Sequence, residues 1–148
     1  MKASKSKPRI AVERRNTARA SRQLWAGLLR YNRAEAGPFR YSRQVICARD
    51  SKEKGPGRIL GGVILQHYWK ETYVELLWLS GKLRRKGVGS ELIREAERQA
   101  RKRGSVLMHL TTYSFQAPRF YEKLGFRRIG TMRGSPKGAS RHFYAKVL

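Results

Sequence analysis

The sequence predicts an α/β fold built on a mixed sheet of six to seven strands flanked by helices. Two observations carry this. Between residues 44 and 79 three apolar, strand-length runs are joined by connections too short for crossovers, so they pair as an antiparallel meander. The stretch from Val88 to Arg103 then has helical spacing and lies between two strands. That is a right-handed crossover, which requires a parallel pair in the same sheet.

The elements follow in order. Ile10 and Val12 alternate with polar neighbours and suggest a short first strand. From Thr17 to Arg33, Ala20, Leu24, Leu28 and Tyr31, with Trp25 and Leu29 beside them, recur at steps of three and four. This is an amphipathic helix, with Asn16 or Thr17 as N-cap. Gly37-Pro38 ends the region, and a second short helix before it is compatible with the pattern. Gln44 to Arg49 reads as a strand, 50–57 as a turn, Arg58 to Trp69 as a strand, Lys70-Glu71 as a turn and Thr72 to Leu79 as a strand. Val88, Leu92, Ile93 and Ala96 form one face of the next helix, which Gly104 stops. Val106 to Leu110 is a strand, Gln116 to Leu124 a short helix closed by Gly125, and Phe126 to Met132 and His142 to Val147 are the last strands. The expected order is β-α(-α)-β-β-β-α-β-α-β-β.

At 148 residues the chain suits one domain, 9–148, preceded by a flexible basic tail at 1–8. An apolar fraction of 40% with 10% aromatics argues for a folded protein. No run of 18 or more apolar residues suggests a membrane span, and the basic N-terminus lacks the apolar part of a signal, so a cytoplasmic location is expected. The single cysteine, Cys47, excludes an internal disulfide, and its apolar run predicts a buried thiol. His67, His109 and His142 lack partners at ligand spacing, so no metal site is expected.

Charge is the unusual quantity: 34 Lys and Arg against 10 Asp and Glu, a net +24. Residues 1–58 hold 16 basic and 4 acidic side chains and the remainder 18 and 6, so the excess is not a tail property. It fits a polyanionic partner or an acidic substrate reached by long-range steering, or a general solubility strategy.

Leu83-Arg84-Arg85-Lys86-Gly87-Val88-Gly89-Ser90 lies between a strand and a helix start. Backbone N–H groups there can converge on one anion, Gly87 and Gly89 leave the main chain open to a phosphate, and three cations stand at the rim. Taken alone it is either a phosphate cradle or a solvated turn.

A second segment decides between them. Arg84-x-x-Gly87-x-Gly89 after Leu76-Leu77-Trp78-Leu79, together with Ser114-x-x-Ala117-x-x-Phe120-Tyr121-x-x-x-Gly125-Phe126, resembles the two motifs of the GNAT acetyltransferase superfamily, in the same order. The resemblance runs from about Ile10 to Leu148. Its finer features, including Pro-x-Gly-x-x-Arg-x-Phe from Pro136 to Phe143, are similar to a group of small bacterial members of mostly unassigned substrate. Ser114 stands where many members have Asn, and Ala139 where this group would have His.

The resemblance implies an N-acetyltransferase that moves an acetyl group from acetyl-coenzyme A to a primary amine, without a metal. It implies that Leu77, Trp78 and Leu79 pair with the pantetheine arm and that the pyrophosphate meets the loop of Arg84, Arg85, Lys86, Gly87, Val88, Gly89 and Ser90. Ser114, Ala117, Phe120 and Tyr121 complete the implied coenzyme site. Tyr121 is the candidate acid at the thioester sulfur, or an aromatic that only packs the wall. Glu75 is the candidate base, direct or through water, or the partner of a surface arginine; strand alternation puts it on one face with Tyr73, Leu77 and Leu79. Glu71 and His67 are further candidates, and a base is dispensable if the amine loses its proton to solvent. Tyr68, Trp69, Tyr73, Trp25 and Tyr31 line an acceptor pocket or belong to the core.

The alternative function, suggested by charge alone, is a nucleic-acid or ribonucleoprotein binding module, or an acetyltransferase whose acceptor is carried on RNA, such as aminoacyl-tRNA. The positive field repels a polycationic amine, so an anionic acceptor is the expectation, on a monomer or homodimer. The acceptor loops are expected at 17–37, Lys70-Glu71 and 134–140.

Overall fold

The computed structural model describes residues 7–51, 55 and 57–148; most of the basic tail and part of the 50–57 turn lie outside the described residues. The chain divides into two compact units, one through Phe39 and one from Arg40 to Leu148.

The first unit holds helix α1, Thr17–Ala36, one continuous helix rather than a helix and a second short piece. It starts at Asn16 and stops at Gly37, whose φ of 76° lies where a side chain is strained. The strand expected at Ile10 and Val12 does not form: residues 7–14 have no regular structure. Two apolar residues among Arg9, Glu13, Arg14 and Arg15 offer too little side-chain burial to offset the entropy of ordering a strand.

The second unit is a six-stranded sheet with strands β1 (Ser42–Arg49), β2 (Ile59–Tyr68), β3 (Glu71–Leu79), β4 (Leu107–Tyr113), β5 (Arg127–Arg133) and β6 (Ser140–Val147). Spatial order is β1-β2-β3-β4-β6-β5. The β1-β2-β3 meander is antiparallel, β3 and β4 are parallel, and β4, β6 and β5 are again antiparallel. Helix α2, Val88–Lys102, makes the crossover between β3 and β4, and α3, Pro118–Lys123, joins β4 to β5.

One face of the sheet is dry. Leu92, Ile93, Ala96 and Ala100 of α2 and Tyr121 of α3 share a buried cluster with Val63, Leu65, Val74, Met108, Leu110 and Tyr144 of the strands. The period of α2 places its apolar residues on a single stripe, so its arginines stay outside. Cys47 is half-buried on β1 rather than in this cluster.

The sheet is interrupted at two places, and both shape the site. The β2-β3 register slips between Ile64, which faces Leu76, and Leu65, which faces Val74. Glu75 is thus the extra residue of a β-bulge, and the strict alternation expected for β3 fails there. Leu77 and Leu79 join Val74 against the core, while Leu76 and Trp78 are exposed. The second interruption is between β3 and β4, which pair only from Glu71 with Leu107 to Val74 with Leu110. Beyond that point β4 keeps its partner β6 as far as Tyr113, and β3 keeps β2 as far as Leu79. The two middle strands therefore part, leaving facing backbone edges with no ladder between them.

Candidate active site

The gap between the parted strands is a cavity of about 920 Å³, lined by Val74 to Leu79 on one side and Thr111 and Thr112 on the other. Its outer end is the loop before α2, where Arg84, Arg85, Gly87, Gly89 and Ser90 line it, and α3 adds Ala117, Arg119, Phe120, Tyr121 and Lys123. The coenzyme residues expected from sequence thus converge on one cavity, with three exceptions. Val88 turns into the core, Lys86 is exposed outside the cavity wall, and Ser114 is tied to the start of β6. Its N–H donates to the Ser140 carbonyl at 2.8 Å and its hydroxyl accepts the Ser140 N–H at 3.1 Å.

The loop has the form of an anion cradle. A short 3₁₀ turn, Gly81–Leu83, lifts the chain off β3, and Arg84 Nε donates to the Leu79 carbonyl at 3.3 Å. Arg85 (φ 60°) and Gly87 (φ 82°) are both left-handed, separated by one residue, an alternation that turns successive N–H groups toward one point. No side chain caps the N-terminus of α2. Its first N–H groups are left without intrahelical partners and carry the positive end of the helix dipole. Gly89 has ordinary φ but a tight position: a Cβ there would lie 3.2 Å from Leu79 Cδ1 and 3.4 Å from Phe120 Cζ. Glycine is what lets the helix start, the end of β3 and α3 meet around the cavity.

Tyr121 closes the inner wall. Its ring is buried, edge-on to Phe120 and Phe126, and burial pushes its phenol up to about 12. It therefore stays protonated at every physiological pH. Among the described residues no group accepts a hydrogen bond from its hydroxyl.

Glu75 lines the cavity, but its carboxylate is occupied. It accepts from Arg43 Nε at 3.1 Å and Nη2 at 2.9 Å, and from Gln66 Nε2 at 3.0 Å. The Gln66 bond first, and then Arg43, hold it below the usual carboxylate range. A base-strength carboxylate is the opposite of what this network makes. The other two base candidates lie outside the cavity. His67 is buried against Thr72 Oγ1 (2.9 Å) and Gln44 Oε1 (3.1 Å), and burial pushes its pKa down. Glu71 faces His109 Nε2 at 3.3 Å, which also bonds the Tyr68 hydroxyl at 3.0 Å, while the Tyr73 ring lies tilted against the same imidazole, centroids 5.1 Å apart.

Sequence reasoning missed Thr111, Gln116, Arg119 and Lys123. Gln116 Oε1 accepts the Tyr113 N–H at 2.9 Å and the Thr112 hydroxyl at 3.1 Å, fixing the turn that carries α3. Arg119 and Lys123 are spaced i, i+4 and so share a face of α3, a signal that was readable beside Phe120-Tyr121.

The acetyltransferase (GNAT) family model matches residues 13–126, more than three quarters of the chain. A blasticidin-S acetyltransferase of Streptomyces morookaense is 36% identical over 93 residues, 62% of this chain and 68% of that protein. The crystal structure of an acetyltransferase from Bacillus cereus superposes with a TM-score of 0.84 at 29% identity, covering 95% of this chain and 98% of the other. The fold is shared more distantly with an aminoglycoside 6'-N-acetyltransferase solved with coenzyme A, at TM-score 0.61 and 18% identity over 71% of this chain and 72% of that one. With both motifs on one cavity and the sheet parted beside it, the chain belongs to the GNAT acetyltransferase family.

Proposed function

We propose that this acetyltransferase takes acetyl-coenzyme A as donor and transfers the acetyl group to the amine of an anionic small molecule. The observation that carries the donor assignment is the continuity of one cavity from the uncapped, doubly left-handed loop at 84–90 to the buried phenol of Tyr121. A pyrophosphate suits the loop, an amide-bearing arm suits the unpaired edges of β3 and β4, and a thioester at the inner end reaches Tyr121. Arg84, Arg85, Arg119 and Lys123 line the same cavity. Four cations match a ligand with a pyrophosphate and one further phosphate, which carries about three to four negative charges.

The chemistry at the inner end needs a neutral amine, polarisation of the carbonyl and stabilisation of the departing sulfur. Open N–H groups on the parted edge of β3 are the donors available to the carbonyl oxygen. The attacking nitrogen forms the C–N bond, the C–S bond breaks, and the proton lost by nitrogen balances the one gained by sulfur. Tyr121 supports the sulfur by donating a hydrogen bond. Full proton transfer is disfavoured: a phenol near 12 giving its proton to an ordinary thiolate at about 8.5 is uphill by about 5 kcal/mol. The ammonium formed on attack is the stronger acid and supplies that proton. Glu75, paired with Arg43 and Gln66, serves as a fixed hydrogen-bond acceptor at the cavity wall rather than a base.

Isothermal titration with acetyl-coenzyme A tests the donor, and no heat at millimolar ligand would sink the proposal. Blasticidin S, named in the Streptomyces relative, is the first acceptor to assay by thiol release. An aminoglycoside, a polycation, is a poorer match to a chain of net charge +24. A pure nucleic-acid module is not favoured, because charge alone would not require the cavity, the glycine loop or the buried phenol.

A further inference from the structure

The geometry points to Arg141 as the residue that recognises an oxyanion on the acceptor, so that the substrate is a primary amine bearing a carboxylate or phosphate. This rests on the donor assignment above. The parted strands open the sheet from one face to the other. On the covered face the loop at 84–90, α2 and α3 surround the coenzyme end of the cavity, so an acceptor must approach the thioester from the opposite face. Glu75, Leu76, Trp78 and Thr111 are cavity-lining residues on that face.

Two guanidinium groups stand beside them, and their states differ. Arg43 is neutralised by the two-pronged bond to Glu75. Arg141, on β6 opposite Tyr113, has no carboxylate within ion-pair distance among the described residues. Its Nη2 donates to Thr111 Oγ1 at 3.0 Å, and its guanidinium carbon lies 5.9 Å from the Tyr113 ring and 5.7 Å from the Phe143 ring. Those contacts hold the side chain in one orientation through rings and a neutral hydroxyl, neither of which cancels its charge. Its Nε is buried with no hydrogen-bond partner, a desolvated donor that the protein itself does not satisfy. Pre-positioned, partly dehydrated and uncompensated is the state in which a guanidinium binds an oxyanion most strongly. The same residue is the Arg of the Pro136 to Phe143 motif, for which the donor chemistry has no use.

The test measures thiol release from acetyl-coenzyme A with matched primary amines: glycine, β-alanine and γ-aminobutyrate against their amides, and phosphoethanolamine against ethanolamine. Wild type is expected to favour the charged member of at least one pair, the carboxylate and phosphate pairs telling the two sources apart. Arg141→Gln is expected to reduce that preference by about tenfold or more through KM. Arg141→Lys, which keeps the charge but not the fork, restores part of it. Thermal midpoint and acetyl-coenzyme A affinity, measured on each variant, separate this from misfolding. Equal rates on charged and neutral members, no reaction with any charged member, or a Gln variant that keeps the preference would overturn the inference. Each of those outcomes leaves the donor assignment standing if wild type binds acetyl-coenzyme A.

Discussion

Replacing Gly89 separates the size of the cradle from its charge. A Cβ at this position lies 3.2 Å from Leu79 Cδ1 and 3.4 and 3.5 Å from the Phe120 ring, so alanine forces small shifts of two side chains that line the cavity. Overpacking of this kind costs about 1–3 kcal/mol, and alanine in a helix returns up to about 1 kcal/mol over glycine. Gly89→Ala should therefore fold with a small loss of stability and bind acetyl-coenzyme A up to about tenfold more weakly. Gly89→Glu drives a carboxylate into the cavity lining formed by Leu79 and Phe120, and a thermal melt establishes that the variant is folded before its binding is read. At roughly 4–5 Å from a phosphate oxygen and an effective dielectric near 20, the repulsion is about 3–4 kcal/mol, or several hundredfold in affinity. Isothermal titration reads both, and Arg98→Gln, which removes an exposed pair with Glu95 on α2, is a control expected to change nothing. A Gly89→Glu protein that binds within threefold of wild type would refute the assignment of this loop to the pyrophosphate.

Tyr121→Phe should fold normally and lower turnover by about 10- to 150-fold, the worth of one hydrogen bond to a charged sulfur, with little change in coenzyme affinity; unchanged turnover would leave the ring a packing role only. The same residue makes stability depend on alkaline pH. Its folded pKa, about 12, exceeds the ordinary value of 10, so the unfolded chain loses this proton first as pH rises. Stability is then lost between about pH 10 and 12, by about 2–3 kcal/mol, and denaturant melts of Tyr121→Phe should show a correspondingly shallower decline over that window. Arg119→Ala combined with Lys123→Ala should weaken acetyl-coenzyme A more than its 3'-dephospho analogue; equal losses would place the third phosphate elsewhere.

Much of this site was legible because it is local in sequence. Two left-handed positions, a helix start and three cations fall within eight consecutive residues, and the Phe120-Tyr121 segment lies on one short helix. Element order was legible for the same reason, since connection lengths in the meander allow only antiparallel pairing. What sequence could not supply is what depends on register. Alternation put Glu75, Leu77 and Leu79 on one face, and a single bulged residue reversed that for everything beyond it. For Glu75 the sequence left two roles open, base or partner of a surface arginine, and only the register, which brings Arg43 of β1 and Gln66 of β2 onto its carboxylate, selects the second. The strand expected at Ile10 and Val12 failed because alternation without a partner or a buried face carries no free energy.

A crystal structure of the protein with acetyl-coenzyme A tests the assignment of the parted sheet to the coenzyme most directly. The pyrophosphate is expected on the N–H groups of residues 85–90, the arm between Glu75–Leu79 and Thr111–Tyr113, and the thioester sulfur within hydrogen-bond reach of the Tyr121 hydroxyl. Coenzyme bound at another surface, with the gap between β3 and β4 left closed to it, would contradict it.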